Sequence, residues 1–418
     1  MFSSRVPREL ELNRLTRVVQ RVREGGRTLL DLTLSNPTAA GIEYPASILG
    51  ALADRAAERY DPAPLGLPSA RAAVAGDYAR RGTVLDPERI VLTASTSEAY
   101  SVLFKLLCDP SGDAAMVPSP SYPLFDHLTR LDGVTPIAYR LEYHGRWTVD
   151  FDTVDAGWTD GVRAVLAVSP NNPTGSILSG AELAGFARRC AERDAALIVD
   201  EVFADYPLTA SPASPVAPGF SPSPVASGSG RPGEPSPVAP GFSRTRDPVP
   251  PCLTFRLGGL SKSAGLPQVK LGWIGVDGPD VLVRSALERL ELICDTYLSV
   301  ATPVQAAAPR LIEAGASVRQ RILARVQANH ESLRALSRSY PSVEVLHGDA
   351  GWSAVLRVAS IGSEEDLAIE LIEQDGVLVH PGFYFDFPHE AFLVVSLLPE
   401  PAVFLDGIRR VMERVGNP

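Results

Sequence analysis

Between Arg89 and Val276 short apolar runs of strand length recur, several of them almost unbroken in Val, Ile, Leu and Ala. They are Ile90–Thr93, Ala115–Val117, Ile137–Leu141, Ala164–Val168, Leu197–Val199, Leu253–Phe255 and Gly272–Val276. A strand that is apolar on both faces must be covered on both faces, which suits a mostly parallel sheet between helical layers. Helical patterns at Ser97–Leu107 and Gly180–Arg193 lie between some of these runs. The alternation predicts an α/β domain with right-handed crossovers. After Thr302 the order changes. Two helical stretches reach about Leu336, and strands follow near Val343–Leu346, Trp352–Val358, Val377–His380 and Phe392–Leu397. Helices at Glu364–Gln374 and Pro401–Val415 complete what reads as a smaller α+β domain.

One stretch fits neither domain. From Ser211 to Pro251 there are 12 prolines among many Ser, Gly and Ala, and SPVAPGFS occurs twice, at 214–221 and 236–243. Such a composition buries too little apolar area to offset its ordering entropy, so a flexible surface insertion is expected. The net charge of −10 argues against broad contact with nucleic acid or an anionic membrane. No apolar run approaches the roughly 18 residues of a membrane span, and the N-terminus lacks the apolar core of a secretory signal. Cys108, Cys190, Cys252 and Cys294 are far apart and form no metal-binding spacing. Together these features predict a metal-free cytoplasmic protein.

Of 39 basic residues only three are lysine: Lys105, Lys262 and Lys270. Guanidinium stays protonated, whereas an ε-amine can lose its proton and attack a carbonyl. A lysine kept in an arginine-rich chain is therefore a candidate for chemistry. Lys262 lies in GGLSKSAGLPQVKLGWIG, residues 258–275, where Gly and Pro break any long helix around it. Taken alone, a solvated loop lysine explains it equally well.

Three predicted strand ends change that balance. Leu197–Val199 runs into Asp200-Glu201, and a carboxylate there faces the crevice where parallel sheets bind ligands. Ala164–Val168 runs on through Ser169 into Asn171-Asn172-Pro173-Thr174-Gly175, a turn of rigid and permissive residues. Ile90–Thr93 runs into Ala94-Ser95-Thr96-Ser97 and a helix, giving hydroxyls and free N–H groups suited to an anion. A carboxylate, an amide, an anion cup and an amine thus converge on one edge.

In order and spacing these segments resemble the fold type I, class I/II aminotransferases, over nearly the whole chain except the Pro-rich stretch. The resemblance implies pyridoxal 5′-phosphate (PLP) as cofactor, a large domain at 46–300, a small domain at 301–418, and an N-terminal segment, 1–45, packed with the small one. By the same resemblance Lys262 forms the Schiff base and shuttles a proton, and Asp200 partners the pyridine nitrogen. Asn172 contacts the cofactor O3′, and Tyr122, in PSPSYPLF, stacks on the ring. Ser95, Thr96, Ser97, Ser261 and Lys270 fall on the cofactor-binding positions. Tyr60, in RYDPAPLGLPSAR, reaches the phosphate of a neighbouring subunit, implying a homodimer with shared sites. Asn36, with Asn172, falls among the substrate contacts.

The chain departs from the family pattern at four places. Lys270 stands where an arginine is usual, and a lysine binds phosphate without a bidentate fork. Gly259 replaces a phosphate-binding serine and Phe203 a tyrosine. In the strand Phe392–Leu397, Val394 takes the place of the arginine that grips a substrate α-carboxylate, leaving Arg357 as the nearest candidate for that role. The expected activity is transfer of an amino group from an amine or amino acid to a keto or aldehyde acceptor. The alternative is a PLP lyase of the β-elimination type. A third reading, a PLP-binding protein without turnover, conflicts with the intact Lys262, Asp200 and Asn172.

Overall fold

The computed structural model describes residues 2–7, 11–209, 249–359 and 362–416. Of the Pro-rich stretch 211–251, residues 211–248 lie outside the described residues. The large sheet has eight strands: β1 (Ile90–Thr93), β2 (Ala114–Ser119), β3 (Thr135–Tyr143), β4 (Trp147–Val149), β5 (Val162–Val168), β6 (Ala196–Asp200), β7 (Thr254–Gly259) and β8 (Gly272–Asp277). Their spatial order is β1-β8-β7-β6-β5-β2-β3-β4. All are mutually parallel except β8 and the edge strand β4, which run against their neighbours.

The unbroken apolar strands are explained by two cores, one on each face. Leu166 and Ile198 pack into a core with Leu103 of helix α1 (Thr96–Leu107) and Leu290 of helix α2 (Asp280–Tyr297). Their alternate neighbours Val165, Ala167 and Leu197 pack into the opposite core with Phe186 of the helix Gly180–Glu192. Successive side chains of a strand point to opposite faces, so a strand inside such a sandwich has no polar face to show.

The smaller sheet has β9 (Glu344–Val345), β10 (Ser353–Arg357), β11 (His380–Pro381) and β12 (Phe392–Ser396), all antiparallel, in the order β9-β10-β12-β11. The two helical stretches expected after Thr302 are one helix, α3 (Thr302–Ser337), with Pro309 inside it. A proline there removes one donor. The buried stripe Leu311, Gly315, Val318, Ile322, Val326, Asn329 and Leu333 nevertheless repeats at three and four residues without a break, so packing carries the helix through. A Cβ on Gly315 would sit 2.5 Å from the Ala264 Cβ, which shows how closely α3 backs the segment that carries Lys262.

Candidate active site

The carboxyl ends of β1, β5, β6 and β7 open on a cavity of about 280 Å³ whose far wall belongs to the small sheet. Thr96, Ser97, Tyr100, Tyr122, Asn172, Asp200, Phe203, Ser261 and Lys262 line it from the large-sheet side. Trp352, Ser353, His380, Tyr384, Val394 and Ser396 line it from the other, with Thr33 and Ser35 at the N-terminal edge. Parallel strands all end at the same side of a sheet, which is why residues 100 positions apart meet there.

Asp200 ends β6 and is 7% exposed. One carboxylate oxygen accepts a hydrogen bond from the Tyr100 hydroxyl at 2.8 Å, the other from the Val202 N–H at 3.1 Å. Burial pushes the carboxyl up to about 6, against the pull of those two donors. Asp77, equally buried, has arginines at 3.1 Å (Arg80) and 3.4 Å (Arg319). Asp200 makes no ion pair among the described residues. A buried carboxylate left without a cation is ready to receive one from a ligand.

Lys262 sits in a single helical turn, Leu260–Ser263, whose backbone is held from several directions. Arg319 donates to the Ser263 carbonyl at 3.2 Å, the Ser263 hydroxyl to the Gly259 carbonyl at 3.0 Å, and the Tyr44 hydroxyl to the Gly265 carbonyl at 2.6 Å. The Tyr206 hydroxyl donates to the carbonyl of Lys262 itself. The Lys262 Nζ lies 4.9 Å from the centre of the Trp352 ring and 5.5 Å from that of Phe203. Burial lowers its ammonium to about 8, partly opposed by the charge of Asp200. At pH 8 half the amines are then neutral, against about one in 250 for an ordinary lysine.

The other expected residues divide. Thr96 and Ser97 face the cavity at the N-terminus of α1, whereas Ser95 uses its hydroxyl to cap that helix, accepting from the Glu98 N–H at 3.1 Å. Gly272 brings β8 so close to this turn that a Cβ there would meet the Thr96 nitrogen at 3.0 Å. Asn172 lines the cavity, and its Oδ1 accepts from the Ser353 hydroxyl at 3.3 Å. Its neighbour Asn171 is buried and builds the turn, accepting from the Ser121 hydroxyl at 2.7 Å and donating to the Pro120 carbonyl at 3.0 Å. Tyr122 lines the cavity and is 40% exposed.

Four positions lie elsewhere. Lys270 is exposed, with a left-handed backbone (φ 59°), and is not part of the lining. The Asn36 side chain caps the short turn Pro37–Ala39, accepting from the Thr38 N–H at 3.1 Å, so Thr33 and Ser35 form the cavity edge in its stead. Tyr60 is 69% exposed beside a separate recess lined by Asp61, Leu298 and Ser299. Arg357 ends β10 outside the cavity lining, where it pairs with Glu344 across the strands, so it does not replace a cavity arginine. Val394 does face the cavity, and no arginine is among the lining residues.

The sequence matches the family described as aminotransferase class I and II over residues 29–401. This chain belongs to that family. The aminotransferase is 25% identical to the alanine aminotransferase of Mycobacterium tuberculosis over 95% of its own length and 87% of the relative's. It is 24% identical to the glutamate-pyruvate aminotransferase AlaA of Escherichia coli over 90% of this chain and 88% of that one. In fold it is similar to an alanine aminotransferase from Pyrococcus furiosus (TM-score 0.80, 20% identity, 99% of each chain). It is also similar to a mutant Thermus thermophilus aspartate aminotransferase (TM-score 0.77, 21% identity, 99% of each chain). The enzyme is a PLP-dependent aminotransferase of fold type I; these relatives do not favour the lyase alternative. The cavity fits the cofactor: an unpaired buried carboxylate, a partly deprotonated amine and a helix N-terminus bearing two hydroxyls face one space.

Tyr100, Tyr206 and Trp352 were not among the expected residues. Tyr100 lies one helical turn after Thr96, so i,i+4 spacing puts the two on one face of α1. Tyr206 and Trp352 carry no such local signal.

Proposed function

We propose that Lys262 is the residue that carries PLP and moves the substrate proton, and that Asp200 holds the ring nitrogen. The observation that carries this reading is an amine lowered to about 8 and a carboxyl raised to about 6 on the lining of one cavity. PLP, when bound, supplies an aldehyde for the amine and an electron sink for the pair left as the substrate C–H bond breaks. Asp200 stabilises a protonated ring nitrogen beside it, and Tyr100 keeps the carboxylate oriented. With the cofactor bound, the Lys262 amine would be the group placed to move the proton of the substrate carbon. Asn172 is held by Ser353 to present its amide to the ring oxygen. Phe203 brings no hydroxyl to that oxygen, so Asn172 acts there without help from position 203. Thr96, Ser97 and the α1 N-terminus receive the phosphate. Tyr122 would cover the ring, and Ser261 and Gly259 would complete its surroundings, whereas Ser95 and Lys270 lie outside the cavity lining.

We further infer a cytoplasmic homodimer in which Tyr60 serves the neighbouring site. The exposure of Tyr60 and its place outside the lining of its own cavity support the dimer. Four buried free cysteines support the compartment. No described helix is long and apolar enough to cross a membrane. The division at 45 and 300 into an N-terminal segment, a large domain and a small domain is part of the same reading. The test is a half-reaction with a donor amine and no acceptor. Conversion of the bound coenzyme to pyridoxamine phosphate, without ammonia, is the expected result; release of ammonia with the coenzyme unchanged contradicts transamination.

A further inference from the structure

Among the described residues, the cavity lining carries one ammonium, Lys262, and one carboxylate, Asp200. On the reading above both are committed, the first to the amino-group transfer and the second beneath the ring. The opposite wall offers no third charge. Val394 faces the cavity from β12, and its cross-strand partners are Val355 and His380. Burial lowers the His380 imidazole from its ordinary value, against the pull of Asp31, so the site disfavours the charged ring.

Three hydroxyls of this wall and its edge are already engaged. Ser396 donates to the Leu34 carbonyl at 2.5 Å and accepts from the Leu398 N–H at 3.2 Å. Ser353 donates to Asn172 at 3.3 Å, and Thr33 donates to Asp31 at 2.6 Å. The donors that remain are neutral, among them the Asn172 amide and the Trp352 indole N–H, which is buried without a partner among the described residues. A carboxylate enclosed against such a wall would lose its water and gain no counter-charge.

We infer that the amino donor is a primary amine whose reacting carbon bears no carboxylate, its substituent resting on Val394, Trp352 and Phe385. Val394 is the specificity-determining residue. This rests on the aminotransferase reading and narrows its donor. The exchange balances without another oxidant. The donor R–CH2–NH2 loses two electrons and its nitrogen and leaves as R–CHO with oxygen from water. The oxo acceptor gains both, and its oxygen leaves as water.

The experiment compares matched donors on the holoenzyme: 2-phenylethylamine against phenylalanine, and ethylamine against alanine. Formation of pyridoxamine phosphate is followed by absorbance and the aldehyde or oxo acid by mass spectrometry. The carboxylate-free member of each pair is expected to react with a kcat/KM higher by about a hundredfold. Equal or faster reaction of the α-amino acids overturns the inference while leaving the aminotransferase reading intact; a cation supplied by a partner subunit would give this result. A coenzyme that changes with none of the four, or that is not covalently held at all, overturns both.

Discussion

The two sides of the cavity are built on different principles. The large-sheet side is polar and specified: Asp200, Tyr100, Asn172 and the Lys262 turn are each fixed by named hydrogen bonds. The small-sheet side presents Val394, Trp352, Phe385 and a His380 whose charged form burial disfavours, and its serine hydroxyls are turned to backbone or side-chain partners. The first side resembles what any amino-group transfer through PLP requires. The second decides which molecule undergoes it. Within one family the chemistry can therefore persist while the substrate changes, because the two tasks sit on separate sheets that face each other across the cavity.

The largest expected effect attacks the polar side. Asp200→Asn replaces the carboxylate with a group that cannot stabilise a protonated ring; kcat should fall by about 10³-fold, measured in the half-reaction, with the fold retained in circular dichroism. Val394→Arg attacks the other side. The new side chain can extend into the cavity, so kcat/KM for phenylalanine relative to 2-phenylethylamine should rise by roughly tenfold or more, with Tm followed in parallel. An unchanged ratio in a folded variant would detach specificity from this wall. Tyr100→Phe removes one donor to Asp200 and should lower kcat by about tenfold while leaving KM nearly constant.

The smallest effect tests the cause of the Lys262 shift. Only the neutral amine attacks PLP, so the rate of cofactor attachment to the apoenzyme should rise with pH and level off above about 8. A lysine in water would go on rising to about 10.4. Trp352→Ala admits water beside Nζ, and the plateau should then move to higher pH. A plateau that stays in place would mean that burial is not what lowers the amine.

Much of the large sheet was legible because apolar runs bounded by Gly, Pro and Asn are local signals. The same holds for Asp200, Asn172 and Lys262, each of which follows a strand or lies in a constrained turn. What was not legible depends on distance in space. Trp352 stands 90 positions after Lys262, and only the packing of one sheet on the other brings the indole to the amine. Ser95 and Asn36 carry the right chemistry, yet each spends its side chain on its own backbone turn, the usual competition for short polar residues. The break expected in α3 did not occur because the buried stripe outweighs one lost backbone donor.

With only three lysines in 418 residues, attachment can be mapped without ambiguity. Holoenzyme reduced with borohydride and digested should carry the reduced phosphopyridoxyl group on the peptide containing Lys262, and on neither Lys105 nor Lys270. A label on one of those two, or coenzyme that washes away after reduction, would contradict the account.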